Sequence, residues 1–166
     1  MSEVSPPKYT LSADVFRILD VNGVPEILFV QLSRMNPSEA TRAVSVRFQP
    51  TPFKARPESH ESFSAGVFSA AKGLTQAPSS EELLKGVSPP PASASTTIDC
   101  DFEIMARSGE LGALLFFQMS TAARDHLYSG APETAVGADC VLEVSLPLTR
   151  LAELLVEWKE FAGAMK

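Results

Sequence analysis

Two short patterns hold the residue types that hydrolases use for nucleophilic catalysis. Ser69-Ala70-Ala71-Lys72 has the S-x-x-K spacing of serine acyl-enzymes, in which the lysine lies one helical turn after the serine. Cys140 and His126 are a thiol and an imidazole that could act as nucleophile and base. Neither pattern is accompanied by the S-D-N, K-T-G or local cysteine motifs of such enzymes, so a small hydrolase ranks third among the predicted functions.

Acidic residues and the other histidine could bind a metal. Asp99, Asp101 and Glu103 alternate along one predicted strand face, and their oxygens suit a hard cation. A flat row lacks the wrapped geometry of a metal site, which favours a solvated strand face instead. His60-Glu61 begins the H-E-x-x-H zinc motif, but position 64 is serine. The sequence therefore predicts no metal and no other cofactor.

A basic patch surrounds the third predicted strand and the loop after it, formed by Arg42, Arg47, Lys54 and Arg56. It could bind a phosphate or an acidic peptide, or it could face the chain's own acidic second half. Residues 1–87 hold nine basic and nine acidic side chains, and residues 88–166 hold five and eleven. This excess of negative charge argues against a general nucleic-acid binder, which needs a basic surface.

The elements that must position these groups are indicated by an apolar run that occurs twice. Residues 27–33 read ILFVQLS and residues 114–120 read LLFFQMS, typical of strands buried on both faces. Each run follows a shorter apolar segment and a pair, Asn22-Gly23 or Ser108-Gly109, where a hairpin should turn. An alternating strand follows each, at residues 42–48 and 138–146. The pattern predicts two similar β-β-β-α units, and chance likeness between apolar strands explains it equally well.

The remaining segments define the predicted boundaries. Residues 1–8 read as a disordered lead, 9–87 as the first unit, 88–95 as a Pro/Ser/Ala linker and 96–166 as the second unit. Strands are predicted at 9–21, 24–35 and 96–107, and the prolines at 50, 52 and 57 predict an irregular path over 49–58. Helices are predicted at 59–72, 80–85, 120–128 and 148–164. The last helix has an apolar face that includes Trp158, whereas Arg150, Glu153, Glu157 and Lys159 cover its remainder.

The predicted fold is α+β, an antiparallel sheet built from two similar β-β-β-α units with the helices packed on one face. This order of elements resembles that of SecB-type export chaperones, with which the chain shares no motif. The resemblance implies a chaperone-like binder of unfolded or exported chains.

One strand face is predicted to carry a contact. When Phe16 is aligned with Phe102, the outward face of the first unit holds Val15, Leu19 and Val21, whereas the matching face of the second unit is mostly charged. Contiguous apolar patches on soluble proteins usually mark contacts. We therefore expect another subunit or a partner chain on this face and the helix at 59–72 on the opposite one. The alternative is that a helix of the same chain covers it.

These observations predict a non-enzymatic, cytoplasmic protein-binding or assembly module that binds a protein partner or itself, for example as a homodimer. No signal peptide or apolar run of about 20 residues is visible, so no membrane partner is expected. Cys100 and Cys140 alternate with inward apolar residues and are predicted to be buried free thiols.

Overall fold

The computed structural model describes residues 6–74, 78–87, 96–119 and 138–165. The described strands are β1 (Tyr9–Ser12), β2 (Val15–Val21), β3 (Val24–Leu32), β4 (Ala40–Phe48), β5 (Thr96–Cys100), β6 (Phe102–Ser108), β7 (Leu111–Met119) and β8 (Ala138–Pro147). The described helices are α1 (Pro50–Ser59), α2 (Glu61–Ala71), α3 (Ser80–Lys85) and α4 (Leu148–Ala164). The predicted linker at 88–95, the predicted helix at 120–128 and most of the predicted lead lie outside the described residues.

The strands form two mixed sheets. The N-terminal sheet has the order β2-β3-β4-β5, and the C-terminal sheet has the order β1-β8-β7-β6. β4 pairs with β5, and β1 with β8, in parallel, whereas the other neighbours are antiparallel. The fold is therefore α+β, and the prediction of one antiparallel sheet is matched only in part, because there are two sheets and each contains one parallel pair.

The parallel pairs arise because each predicted first strand is divided between the sheets. The Ala13 N–H donates to the Ser145 carbonyl in the C-terminal sheet, and the next N–H, that of Asp14, donates to Val30 in the N-terminal sheet. The strand predicted at 96–107 divides in the same way at Asp101, between β5 and β6. At the second division the buried positions change from even to odd numbers, from Cys100 to Glu103, so an alternation continued across it assigns the wrong face beyond it.

Both hairpins turn over two residues, Asn22-Gly23 and Gly109-Glu110. Asn22, Gly23 and Gly109 have φ values of 55°, 85° and 60°, the left-handed conformation that such turns require. The two similar apolar runs lie in β3 and β7, and Phe29 and Phe116 occupy the same position relative to their turns. Their ring centroids are 5.7 Å apart, so the two runs meet in the core between the sheets.

The final helix has the predicted bounds, and its apolar stripe forms much of the core. The residues of α4 that are buried are Leu148, Arg150, Leu151, Leu154, Leu155, Trp158 and Ala162. The helix approaches β7 closely: a Cβ atom on Gly112 would lie 2.5 Å from Leu151 Cδ2. The burial of Arg150 corrects the prediction that it covers the outer side of the helix.

The prediction of an irregular path at 49–58 is wrong, because this stretch forms α1. Pro50 and Pro52 fall in its first turn, where a missing N–H loses no intrahelical bond. Pro57 lies inside the helix and cannot donate to the Phe53 carbonyl four residues earlier. That carbonyl accepts a hydrogen bond from Trp158 Nε1 instead, at 3.0 Å. A side chain more than 100 positions away therefore supplies the donor that Pro57 lacks.

The prediction that all helices pack on one face is wrong. Apolar residues of α1, α2 and α4 join the core with the inner faces of the strands, whereas Leu83 and Leu84 of α3 pack on the outer face of the N-terminal sheet. Among the described helices, none is both long and apolar enough to span a membrane.

Candidate functional site

A buried carboxylate lies at the edge of the C-terminal sheet. Glu103 of β6 is 2% exposed, although the sequence predicts it on a solvated strand face. Its Oε1 lies 2.7 Å from Arg56 Nε and 2.8 Å from His60 Nε2. Arg56 Nη2 also donates to the Glu103 carbonyl, at 2.8 Å. We call Arg56, His60 and Glu103 the edge cluster, since it joins the α1–α2 corner to β6.

Glu103 is buried because the alternation of the predicted strand reverses where it divides. In β5, Cys100 is buried and Asp99 exposed, as predicted. Beyond Asp101 the odd-numbered Glu103 points inward, and Ile104 is 48% exposed. The predicted row of three carboxylates on one wet face therefore does not exist.

The edge cluster is tied to the aromatic core. The His60 ring meets the Trp158 ring edge-on, with centroids 5.0 Å apart. The backbone N–H of His60 donates to the Arg56 carbonyl at 3.0 Å and caps the C-terminus of α1. Both imidazole and carboxylate are buried, and a buried carboxylate needs such fixed hydrogen-bond partners. The geometry suits a structural lock better than an exposed acid–base pair, which would have to reach a substrate.

The structure describes three of the four residues of the predicted catalytic pairs. Ser69 and Lys72 are both exposed near the end of α2. Cys140 is buried in β8, whereas His126 lies outside the described residues. In the four described ranges, no three His, Cys, Asp or Glu side chains are grouped to hold a metal ion.

Both thiols are expected to resist labelling in the folded protein. Burial, then the Glu103 charge, raises the pKa of the Cys100 thiol, and burial, then the charge of Glu143, raises that of Cys140. The reactive thiolate is therefore scarce. Ellman's reagent should label neither thiol at neutral pH and should label both after denaturation in urea. Rapid labelling of the native protein would contradict this prediction.

The predicted basic patch is dispersed among several partners. Arg56 belongs to the edge cluster, and Arg47 lies 3.0 Å from Glu26 Oε1 and 3.9 Å from Asp99 Oδ1. Arg42 donates to the carbonyl of Thr10, at 3.2 Å. Lys54 is exposed. Two of the four cations thus meet acidic residues of the second half, which is one of the two readings the sequence left open.

The predicted contact face on β2 is largely covered by the same chain. Val15 is fully buried, Leu19 is partly buried, and both pack in the cluster that includes Leu84 of α3. Val21, at the hairpin end, is 39% exposed. α4, and not the helix predicted at 59–72, adjoins the opposite face, where Phe16 belongs to the main core.

Counting back from the turns corrects the alignment of the two first strands by one residue. Val21 precedes its turn as Ser108 precedes its own, so Phe16 corresponds to Glu103 and Val15 to Phe102. The error came from placing the second turn at Ser108-Gly109. The outward face of β6 then consists of Phe102, Ile104, Ala106 and Ser108, which is mainly apolar and not charged.

The edge cluster is hard to predict from the sequence. Glu103 lies 47 positions after Arg56 and 43 after His60, and these separations match no active-site motif. The available signal was the turn, because a register set by Gly109 in the first turn position points Glu103 inward.

Comparison of the chain with family models, with curated proteins and with solved structures finds no match.

Proposed function

We propose that the chain is a non-enzymatic, cytoplasmic protein-binding or assembly module built from two similar β-β-β-α units. The proposal rests on one observation: the described residues cover two corresponding sheet faces unequally. On the N-terminal sheet, α3 covers Val15, Leu28 and Val30. On the C-terminal sheet, the corresponding positions are Phe102, Leu115 and Phe117, and Ile104 beside them is about half exposed.

The C-terminal face is apolar. The Phe102 and Phe117 rings stack, with centroids 4.8 Å apart and planes at 4°. Leu115 lies across from Ile104 in the neighbouring strand. Contiguous apolar faces on soluble proteins usually mark contacts, and burial of aromatic side chains contributes strongly to interfaces. We call Phe102, Ile104, Leu115 and Phe117 the outer apolar face. We propose that a second copy of the chain binds this face.

Ile104→Lys tests the assignment. Sedimentation over a range of concentrations should show the wild type as a dimer and Ile104→Lys as a folded monomer, because a lysine ammonium cannot be buried unpaired at the centre of an interface. Val156→Lys is the matched control, since Val156 is 45% exposed but lies on α4. It should remain dimeric.

A wild-type protein that stays monomeric at high concentration would contradict self-association through this face. A dimer that persists in folded Ile104→Lys would place the interface elsewhere. Circular dichroism of both variants establishes whether they are folded.

A second candidate function, a chaperone-like binder of unfolded or exported chains, is favoured by a different feature, the outer edge of β2.

A further inference from the structure

β2 ends the N-terminal sheet and presents a strand edge. Alternate residues of β2 direct their backbone groups to β3, and the residues between direct theirs outward. The outward Phe16 N–H is bonded to Ser80 Oγ at 3.2 Å, which closes one end of this edge. Among the described residues, no group pairs with the N–H or carbonyl of Ile18, the next outward residue. Such unpaired groups form a template for an added strand.

The open edge forms one wall of a groove of about 600 Å³. Residues 16–19 of β2 form that wall, and Glu81 of α3 lies nearby. Phe161, Glu157 and Glu160 of α4 form the opposite side. The groove therefore combines backbone hydrogen-bonding groups, an aromatic ring and three carboxylates. Arg17 is the basic residue among those that line it.

The carboxylates of the groove are crowded. The pKa of Glu157 is raised, first by its partial burial and then by the charges of Glu153, Glu160 and Glu81, whereas Arg150 acts in the opposite direction. Crowded carboxylates would be stabilised by a cation from outside the chain.

The corresponding edge of the other sheet shows which group suits such a position. Glu103 of β6 corresponds to Phe16 of β2. At β6, a guanidinium of the same chain, that of Arg56, donates to the strand-edge carbonyl and to a carboxylate beside it. At β2, carboxylates of α3 and α4 lie beside the edge, and the described residues supply no such guanidinium to Phe16.

We propose that the edge of β2 binds an extended peptide segment in which lysine or arginine alternates with apolar residues. The segment adds to the N-terminal sheet as a fifth strand, bonded to the outward backbone groups of β2. Its cations meet Glu157 and Glu160 on the α4 side of the strand, and its alternate apolar side chains face the other side, where Leu19 lies. This surface is distinct from the outer apolar face, so the proposal does not depend on self-association.

The probe is a fluorescein-labelled Lys-Val-Lys-Val-Lys-Val-Lys peptide, measured by fluorescence anisotropy with the full chain. It should bind saturably and at least about tenfold more tightly than the matched Glu-Val peptide, and the affinity should fall as salt is added. A Lys-Val peptide that is N-methylated at alternate amides keeps its charge. It lacks the backbone N–H donors along one edge of the extended peptide. It should lose about tenfold or more in affinity, because strand addition requires those donors.

Glu157→Gln with Glu160→Gln should weaken binding about fivefold to tenfold at low ionic strength while preserving side-chain shape. The matched control is Glu58→Gln with Glu61→Gln, which removes two exposed carboxylates elsewhere and should leave the affinity unchanged. Absence of binding would overturn the proposal. Equal binding of the N-methylated peptide, or equal loss in both double variants, would also overturn it, since either result indicates charge attraction without strand pairing.

Discussion

Replacing Trp158 with alanine is expected to lower the free energy of unfolding by about 3–5 kcal/mol. The indole is fully buried and stacks on Phe53, with ring centroids 4.7 Å apart. It also contacts Phe48 and His60, with centroids 5.4 and 5.0 Å away. Truncation would leave a cavity between α1, α4 and the strands, where the close packing of several aromatic rings limits collapse.

Trp158→Phe separates the packing from the hydrogen bond. This variant keeps most of the apolar contact but leaves the Phe53 carbonyl unpaired, because Pro57 has no N–H to replace the indole donor. It should lower the free energy of unfolding by about 1–3 kcal/mol. Urea unfolding of both variants is followed by circular dichroism. Tryptophan fluorescence cannot be used, because Trp158 is the single tryptophan of the chain. A loss below about 1 kcal/mol for Trp158→Ala would contradict the burial.

Local chemistry made several elements predictable from the sequence. Asn22-Gly23 identified the first turn, because few residue pairs adopt two consecutive positive φ angles. The apolar stripe of α4 identified its bounds and the burial of Trp158. Ser79 directly precedes the helix predicted at 80–85 and is a residue type that caps helices, and its side chain accepts from the Glu82 N–H.

Features that depend on distant partners were not predictable in the same way. Pro57 favoured an interrupted helix, but in the folded chain the Phe53 carbonyl that it leaves free accepts from Trp158. Arg150 was assigned to the wet side of α4 because of its charge. In the folded chain it donates to the carbonyls of Asp14 and Pro78, which places two segments against the helix. Neither partner is near it in sequence.

The edge cluster is the clearest case of a missed site. Its position followed from a one-residue register, and a one-residue slip exchanges the two faces of a strand. Continuing the alternation of β5 through Asp101 turned Glu103 outward and Ile104 inward. The same error hid the outer apolar face and moved the predicted contact to β2.

Replacing Glu103 with leucine is expected to lower the free energy of unfolding by about 3 kcal/mol, the low end of the range for a broken buried ion pair. The Glu103 carboxylate is the partner of both Arg56 and His60. Its removal leaves the Arg56 guanidinium and the buried His60 ring without this partner. The low end applies because the Arg56 side chain is 32% exposed and water can solvate part of its charge.

The double variant Arg56→Met with Glu103→Leu shows whether the loss comes from the ion pair. Removing both charges should recover about 1–3 kcal/mol relative to the sum of the single variants, since a buried charge without its partner is the main penalty. Arg47→Met is the matched control, because Arg47 pairs with Glu26 at 3.0 Å but is 46% exposed. It should lower the free energy of unfolding by less than Glu103→Leu does, because the buried Glu26 keeps the Ser45 hydroxyl as a donor.

Additive losses in the Arg56 and Glu103 cycle would mean that the two side chains stabilise the fold independently, and the lock between the α1–α2 corner and β6 would then be wrong. A strong coupling has a further consequence for the edge of β6. Arg56 donates to the backbone carbonyl of Glu103 as well as to its carboxylate. Arg56→Met should therefore leave that carbonyl of the strand edge without its donor. The variant should then exchange its β6 amide hydrogens faster than Arg47→Met, in which the edge cluster remains intact.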